Sequence, residues 1–93
     1  MDNNQRLFNL DDMNKNLTKN TRMQIMNNQV FTFVCGAFPL ITFPVLLQRG
    51  QFIDITCQSG PITIRIGCGN RFDFRVATFN LRAGQAVQVS CIG

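Results

Sequence analysis

All four cysteines stand on the apolar side of short runs that alternate apolar and polar residues, and no other feature restricts the fold as much. In the stretch "GPITIRIGCGNRFDF" (60–74), a period of two puts Ile62, Ile64, Ile66 and Cys68 on one side of a strand. Thr63 and Arg65 fall on the other side. After a glycine break, Phe72 and Phe74 face one way, and Arg71, Asp73 and Arg75 face the other. The alternation recurs from Val30 onward at the 8–12-residue spacing typical of all-β domains, which predicts strands over 30–37, 40–47, 51–58, 61–67, 71–79 and 85–92. The breaks "FPL", "QRGQ", "QSGP", "GCGN" and "NLRAGQ" carry the Gly, Pro or Asn that turns favour.

The predicted inward residues are Phe31, Phe33 and Cys35 on the first run, then Ile41, Phe43, Val45 and Leu47. They continue with Ile53, Ile55 and Cys57, with Ile62 to Cys68 as above, with Phe72, Phe74 and Val76, and with Val87, Val89 and Cys91. The fold class is therefore all-β, a small jelly-roll-like sandwich or barrel of short antiparallel strands with an extended N-terminal tail.

A composition boundary falls near residue 29. Residues 1–29 hold eight Asn and no Gly, Pro or Cys, whereas all seven Gly, three Pro and four Cys lie beyond. This divides the chain into a connector or tail (1–29) and a β-sandwich domain (30–93). Asn is a poor helix former, so Leu7, Leu10 and Leu17 do not make a stable isolated helix. Two pieces suit short strands instead: "RLFNL" with Phe8 and Leu10 on one side, and "RMQIM" with Met23 and Ile25 opposite Arg22 and Gln24; a disordered tail is the competing reading of the composition.

The chain lacks His, Glu, Trp and Tyr, so the commonest general base and metal-ligating nitrogen are absent. Five Asp remain: Asp2, Asp11 and Asp12 in the tail, and Asp54 and Asp73 on solvent faces. They do not form the positioned pair that carboxylate catalysis needs, so no enzyme activity, metal or cofactor is expected. The first thirty residues carry no secretory-signal pattern and no run of eighteen apolar residues occurs, which predicts a product soluble where it is made. A formal charge of +4, with seven Arg against two Lys, raises an alternative function. In that reading a small basic barrel binds single-stranded nucleic acid through Arg65, Arg71 and Arg75, with Phe52 and Phe79 as exposed rings. The competing reading pairs those cations with Asp54 and Asp73 on a solvated face.

Cys57 and Cys68 are excluded as partners. A hairpin across Ser59 and Gly60 sets Cys57 opposite Ile62 and Cys68 opposite Gln51, an offset of ~20 Å against the ~7 Å Cα limit for a disulfide. Cys35–Cys57 with Cys68–Cys91, Cys35–Cys68 with Cys57–Cys91, and four buried thiols all remain open. Gaps of 22, 11 and 23 residues hold no metal-binding C-x-x-C.

A β domain of this size has open edges that a strand from another molecule can cover, and the tail offers that strand. Leu7, Phe8, Leu10, Met23, Ile25 and Met26 are the candidate assembly residues, because a freely solvated tail has no need of them. Head-to-tail docking of this kind propagates as a filament of identical copies unless it closes into a ring. In its Cys-containing, aromatic-rich small β domain and Asn-rich N-terminal extension, the chain resembles the subunits of bacterial endospore appendages. That resemblance implies jelly-roll domains joined through N-terminal connectors into a fibre, made in the mother cell and released to the spore surface on lysis. It departs from the family in one respect: residues 1–34 hold no cysteine, so a tail contact is non-covalent. A capsid-like or host-factor-binding jelly roll is a third reading.

The inward register generates a prediction: no cysteine is readily alkylated in the native protein. A non-reduced digest yields no Cys57–Cys68 peptide, and recovery of one would overturn the hairpin register.

Overall fold

The computed structural model describes residues 5–13, 21–60 and 62–92; Asp2, Leu17 and both lysines lie outside them. The described elements are β1 (Gln5–Asn9), α1 (Leu10–Met13), β2 (Thr21–Ile25), β3 (Val30–Val34), β4 (Ile41–Leu47), β5 (Gln51–Cys57), β6 (Thr63–Cys68), β7 (Phe74–Leu81) and β8 (Gln85–Cys91). They form two four-stranded sheets, ordered β1-β3-β8-β4 and β2-β6-β5-β7. The all-β class and the six predicted strands of the body are present.

The pairing is mixed rather than antiparallel throughout. In each sheet the central pair is antiparallel, and each edge strand runs parallel to its central neighbour. The reason lies in the connections. β5 and β6 form a hairpin, with Phe52 opposite Gly67 and Thr56 opposite Thr63, the register read from the Ser59–Gly60 turn. In contrast β2, β4 and β7 each end in a tight turn that delivers the chain to a central strand of the other sheet, so most sheet neighbours come from distant segments.

Those three turns use one device. In Met26–Gln29, Gln48–Gln51 and Arg82–Gln85, the last residue's N–H donates to the first residue's carbonyl at 3.2, 3.0 and 3.0 Å. The same glutamine's Oε1 accepts from the first residue's N–H at 3.0, 2.7 and 2.8 Å. The third position has positive φ, 71° at Asn28, 87° at Gly50 and 88° at Gly84, as a type II turn requires. An eleven-residue pattern surrounds each turn, an aliphatic, two residues, Gly or Asn, then Gln-x-apolar-x-apolar-x-Cys. It covers 25–35, 47–57 and 81–91.

The core follows from this repetition. Parallel pairing sets Ile25 beside Cys68, Leu47 beside Cys91 and Leu81 beside Cys57. Leu10 follows Asn9, which pairs with Val34, and so falls level with Cys35. All four aliphatics are buried, at 1–3% exposure or less. Disulfides join Cys35 to Cys57 and Cys68 to Cys91, each with Cα atoms 5.9 Å apart. Each links a central strand of one sheet to a central strand of the other. Because the central strands are antiparallel, the two bonds sit at opposite ends of the sandwich.

From the segment before residue 29, β1 and β2 are edge strands of the two sheets. Their sidedness is as read: Phe8 and Leu10, and Met23 and Ile25, face the core. The inward assignment of Phe72, Phe74 and Val76 is corrected. Phe52 pairs with Arg75 but Ile53 with Ala77, so Val76 is an extra residue that flips the later alternation. Ala77, Phe79 and Leu81 therefore face the core, and Phe74 and Val76 are 67% and 47% exposed. On edge strand β4 only the C-terminal half reaches the interior, with Leu47 buried and Ile41 and Phe43 53% and 38% exposed.

Gly50 has no atom within 4 Å of where a Cβ would sit, so backbone strain alone governs substitution there. Asn28 fills the equivalent position. Gly50→Asn is expected to cost under about 1 kcal/mol and Gly50→Val about 1–3 kcal/mol, read from urea unfolding.

Candidate functional site

The first strand lies in a formed seat on β3. Phe8 stacks on Phe33 with ring centroids 5.1 Å apart and meets Phe31 at 5.5 Å. Leu10 is buried beyond them. Asn9 caps α1 by accepting the Asp12 N–H at 3.2 Å, and its side-chain amide donates to the Gly36 carbonyl. Asp11 accepts the Gly36 N–H at 2.8 Å. The six candidate assembly residues thus divide. Leu10 and Ile25 are buried, Phe8 and Met23 are half-buried against the core, and Leu7 and Met26 are each 64% exposed.

A second constellation occupies the outer face of the sheet built on β5 and β6. Alternation brings Arg22, Arg65, Asp54 and Thr78 into one cross-strand row, and Gln24, Gly67, Phe52 and Arg75 into the next. Asp54 is the one buried charged residue among those described. Arg65 grips it with Nε and Nη2 at 2.9 and 3.2 Å, and Arg75 reaches it at 3.2 Å. Hydrogen bonding to Asp54, opposed by burial, raises the Arg65 pKa above its ordinary value. The guanidinium of Arg65 lies 4.2 Å from the Phe52 ring centre, and that of Arg75 lies 5.8 Å away. Phe72 folds over Gly67, where a Cβ would come within 2.5 Å of its ring, and Arg22 lies on that ring at 4.6 Å.

The three arginines singled out in the sequence therefore do not form one patch. Arg65 and Arg75 share Asp54, whereas Arg71 lines a groove of about 700 Å³ at the Cys68–Cys91 end, with Arg49, Asp73 and Phe74. Phe52 is buried and Phe79 packs on the core, tilted against Phe43 at 6.4 Å, so neither is an open ring for base stacking. Arg22 escaped the sequence reading. Its signal was the strict alternation of "TRMQI", which puts Arg22 and Gln24 on one face.

On the edge strands β4 and β7, Ile41, Phe43, Leu46, Phe74 and Val76 are exposed, as are Phe38 and Leu40 before β4. No helix among the described residues is long and apolar enough to cross a membrane. No protein-family model, curated protein or solved structure matches the chain.

Asp54→Asn keeps the shape of the carboxylate and removes its charge, leaving Arg65 and Arg75 to face each other uncompensated. It is expected to lower stability by about 1–3 kcal/mol in urea unfolding, and an unchanged midpoint would show that the triad contributes nothing.

Proposed function

We propose that the protein is a non-enzymatic structural subunit that assembles into filaments of identical copies, with the β1–α1 segment of one copy docking on the β3 edge of the next. The observation that carries this reading is that β1 lies outside the disulfide-linked frame. The bonds close loops from 35 to 57 and from 68 to 91, so residues before Cys35 can leave without breaking a covalent link. Every contact that seats β1 is also available to a β1 from another molecule: the β3 backbone edge, the Phe31 and Phe33 rings, and both backbone groups of Gly36.

Residues 14–20 join Met13 to Thr21, a link of at most ~26–29 Å when fully extended, shorter than two of the described domain's principal extents of 33, 31 and 21 Å, so exchange requires a neighbour packed directly against the copy that donates β1. Exchange in which each copy gives to one neighbour and takes from another is heterologous and propagates. The exposed apolar side chains of β4 and β7 are further surface that association can bury. Two buried disulfides suit a final location in an oxidising setting, in keeping with the fibre, the spore surface and the jelly-roll ancestry that the endospore-appendage resemblance implies.

A crosslink separates exchange from self-docking. Leu7 pairs with Thr32 across β1 and β3 and both side chains face outward, so Leu7→Cys with Thr32→Cys places two thiols within bonding distance. If β1 is exchanged, oxidation yields a covalent ladder on a denaturing gel, and deletion of residues 1–13 abolishes filaments in electron micrographs. Monomers alone after oxidation, with mass mapping placing the new bond within one chain, would overturn the reading.

A further inference from the structure

Arg22 and Arg65 are direct partners in the parallel pairing of β2 with β6, so two like charges stand side by side on the outer face. Such a pair is destabilising on a sheet. Arg65 has Asp54 to offset it, but Asp54 also serves Arg75, and Arg22 rests on the Phe72 ring with no carboxylate partner among the described residues. The face thus carries three guanidinium groups against one carboxylate, an excess of two positive charges.

These groups are held in place. Phe72 carries Arg22 and Phe52 carries Arg65, so rotamer freedom that a ligand would otherwise have to freeze is already restricted. Between them lies a depression of about 260 Å³ lined by Arg22, Thr63, Arg65 and Asp54. We infer that this depression is a phosphate-binding site, seating a phosphate group between the guanidinium fork of Arg22 and the Nη donors of Arg65 that Asp54 leaves free, with the Thr63 hydroxyl as a further donor. The planar fork of Arg22 matches phosphate oxygens bidentately, which an ammonium group does not, and Arg65, whose Nε and Nη2 already hold Asp54, adds charge and single donors. The Asp54 carboxylate repels an anion, so the seat lies toward β2, away from Arg75. The inference is independent of strand exchange, since all of its residues lie outside β1.

The test uses the full-length, oxidised protein and inorganic phosphate, followed by nuclear magnetic resonance of the arginine Nε–H groups, with tripolyphosphate as a second arm. Phosphate is expected to shift Arg22 and Arg65 saturably at constant ionic strength, while Arg49, Arg71 and Arg82 stay unmoved. Tighter tripolyphosphate binding at the same two signals would identify phosphate carried on a chain as the physiological form, and equal binding the free ion. Arg22→Gln should weaken binding about tenfold or more, the loss of one charge-assisted contact, and Arg71→Gln, which removes the same charge elsewhere, should leave it unchanged. Gly67→Ala keeps every charge but forces Phe72 off the sheet, so it too should weaken binding. Shifts spread evenly over all arginines, reproduced by chloride, or unaltered in Arg22→Gln and Gly67→Ala would overturn the site.

Discussion

Two disulfides set the spacing of the sandwich, and the other contacts are arranged around them. Each bond ties a central strand of one sheet to a central strand of the other, one bond at each end. A domain of this size buries too little apolar surface to hold together comfortably, and a native disulfide typically adds about 2–4 kcal/mol. The geometric effect matters as much. With the ends fixed, the interior needs only two apolar residues per central strand, Phe31 and Phe33, Ile53 and Ile55, Ile64 and Ile66, or Val87 and Val89. One aliphatic closes the layer beside each cysteine, Ile25, Leu47 and Leu81 from the edge strands β2, β4 and β7, and Leu10 from the start of α1. Outside this frame the outer faces are free of packing duty, which allows one of them to carry a buried aspartate under two arginines.

The parts of this arrangement that were legible in the sequence are those set by local periodicity. Alternation located the six body strands, their cysteine register and the hairpin of β5 with β6, because a short turn leaves little choice of pairing. It also gave the sidedness of β1 and β2. It did not give their home in the sheets, because Asn-rich composition signals a solvated segment, whereas an edge strand here needs only two apolar side chains facing in. Cysteine pairing was not legible either. Which central strands stack across the sandwich depends on connections that change sheets, and nothing local reports that. The bulge at Val76 misled the reading for a plain reason: Phe72, Phe74 and Val76 alternate correctly, and one extra residue changes the face without disturbing the pattern.

One signal was present in the letters and carried most of the missing topology. The pattern ending Gly/Asn-Gln-x-apolar-x-apolar-x-Cys occurs three times, and each occurrence is an edge strand turning into a central strand of the opposite sheet. Glutamine recurs there because its side chain reaches back to the N–H at the start of the turn and closes it with a second hydrogen bond. The outer-face site was harder to see, since Arg22, Asp54, Gly67 and Phe72 come from three strands and a loop.

The four edge strands are alike in what they contribute and unlike in how they are tethered, which decides where exchange between copies can occur. β2, β4 and β7 are joined to their central strands by four-residue turns held by two hydrogen bonds each, and moving any of them unravels a turn and uncovers a disulfide. β1 is followed by α1 rather than by such a turn. Its contacts are the same whether it docks on its own β3 or on a neighbour's, so they favour neither form. The balance then rests on effective concentration, which favours self-docking in dilute protein because both segments belong to one chain. A filament therefore needs a further contact that exists only between copies. The exposed Ile41, Phe43, Leu46 and Val76 on β4 and β7 are apolar side chains available to such a contact. In the proposed assembly, strand exchange sets direction, and burial of apolar side chains between copies supplies the free energy that makes exchange persist.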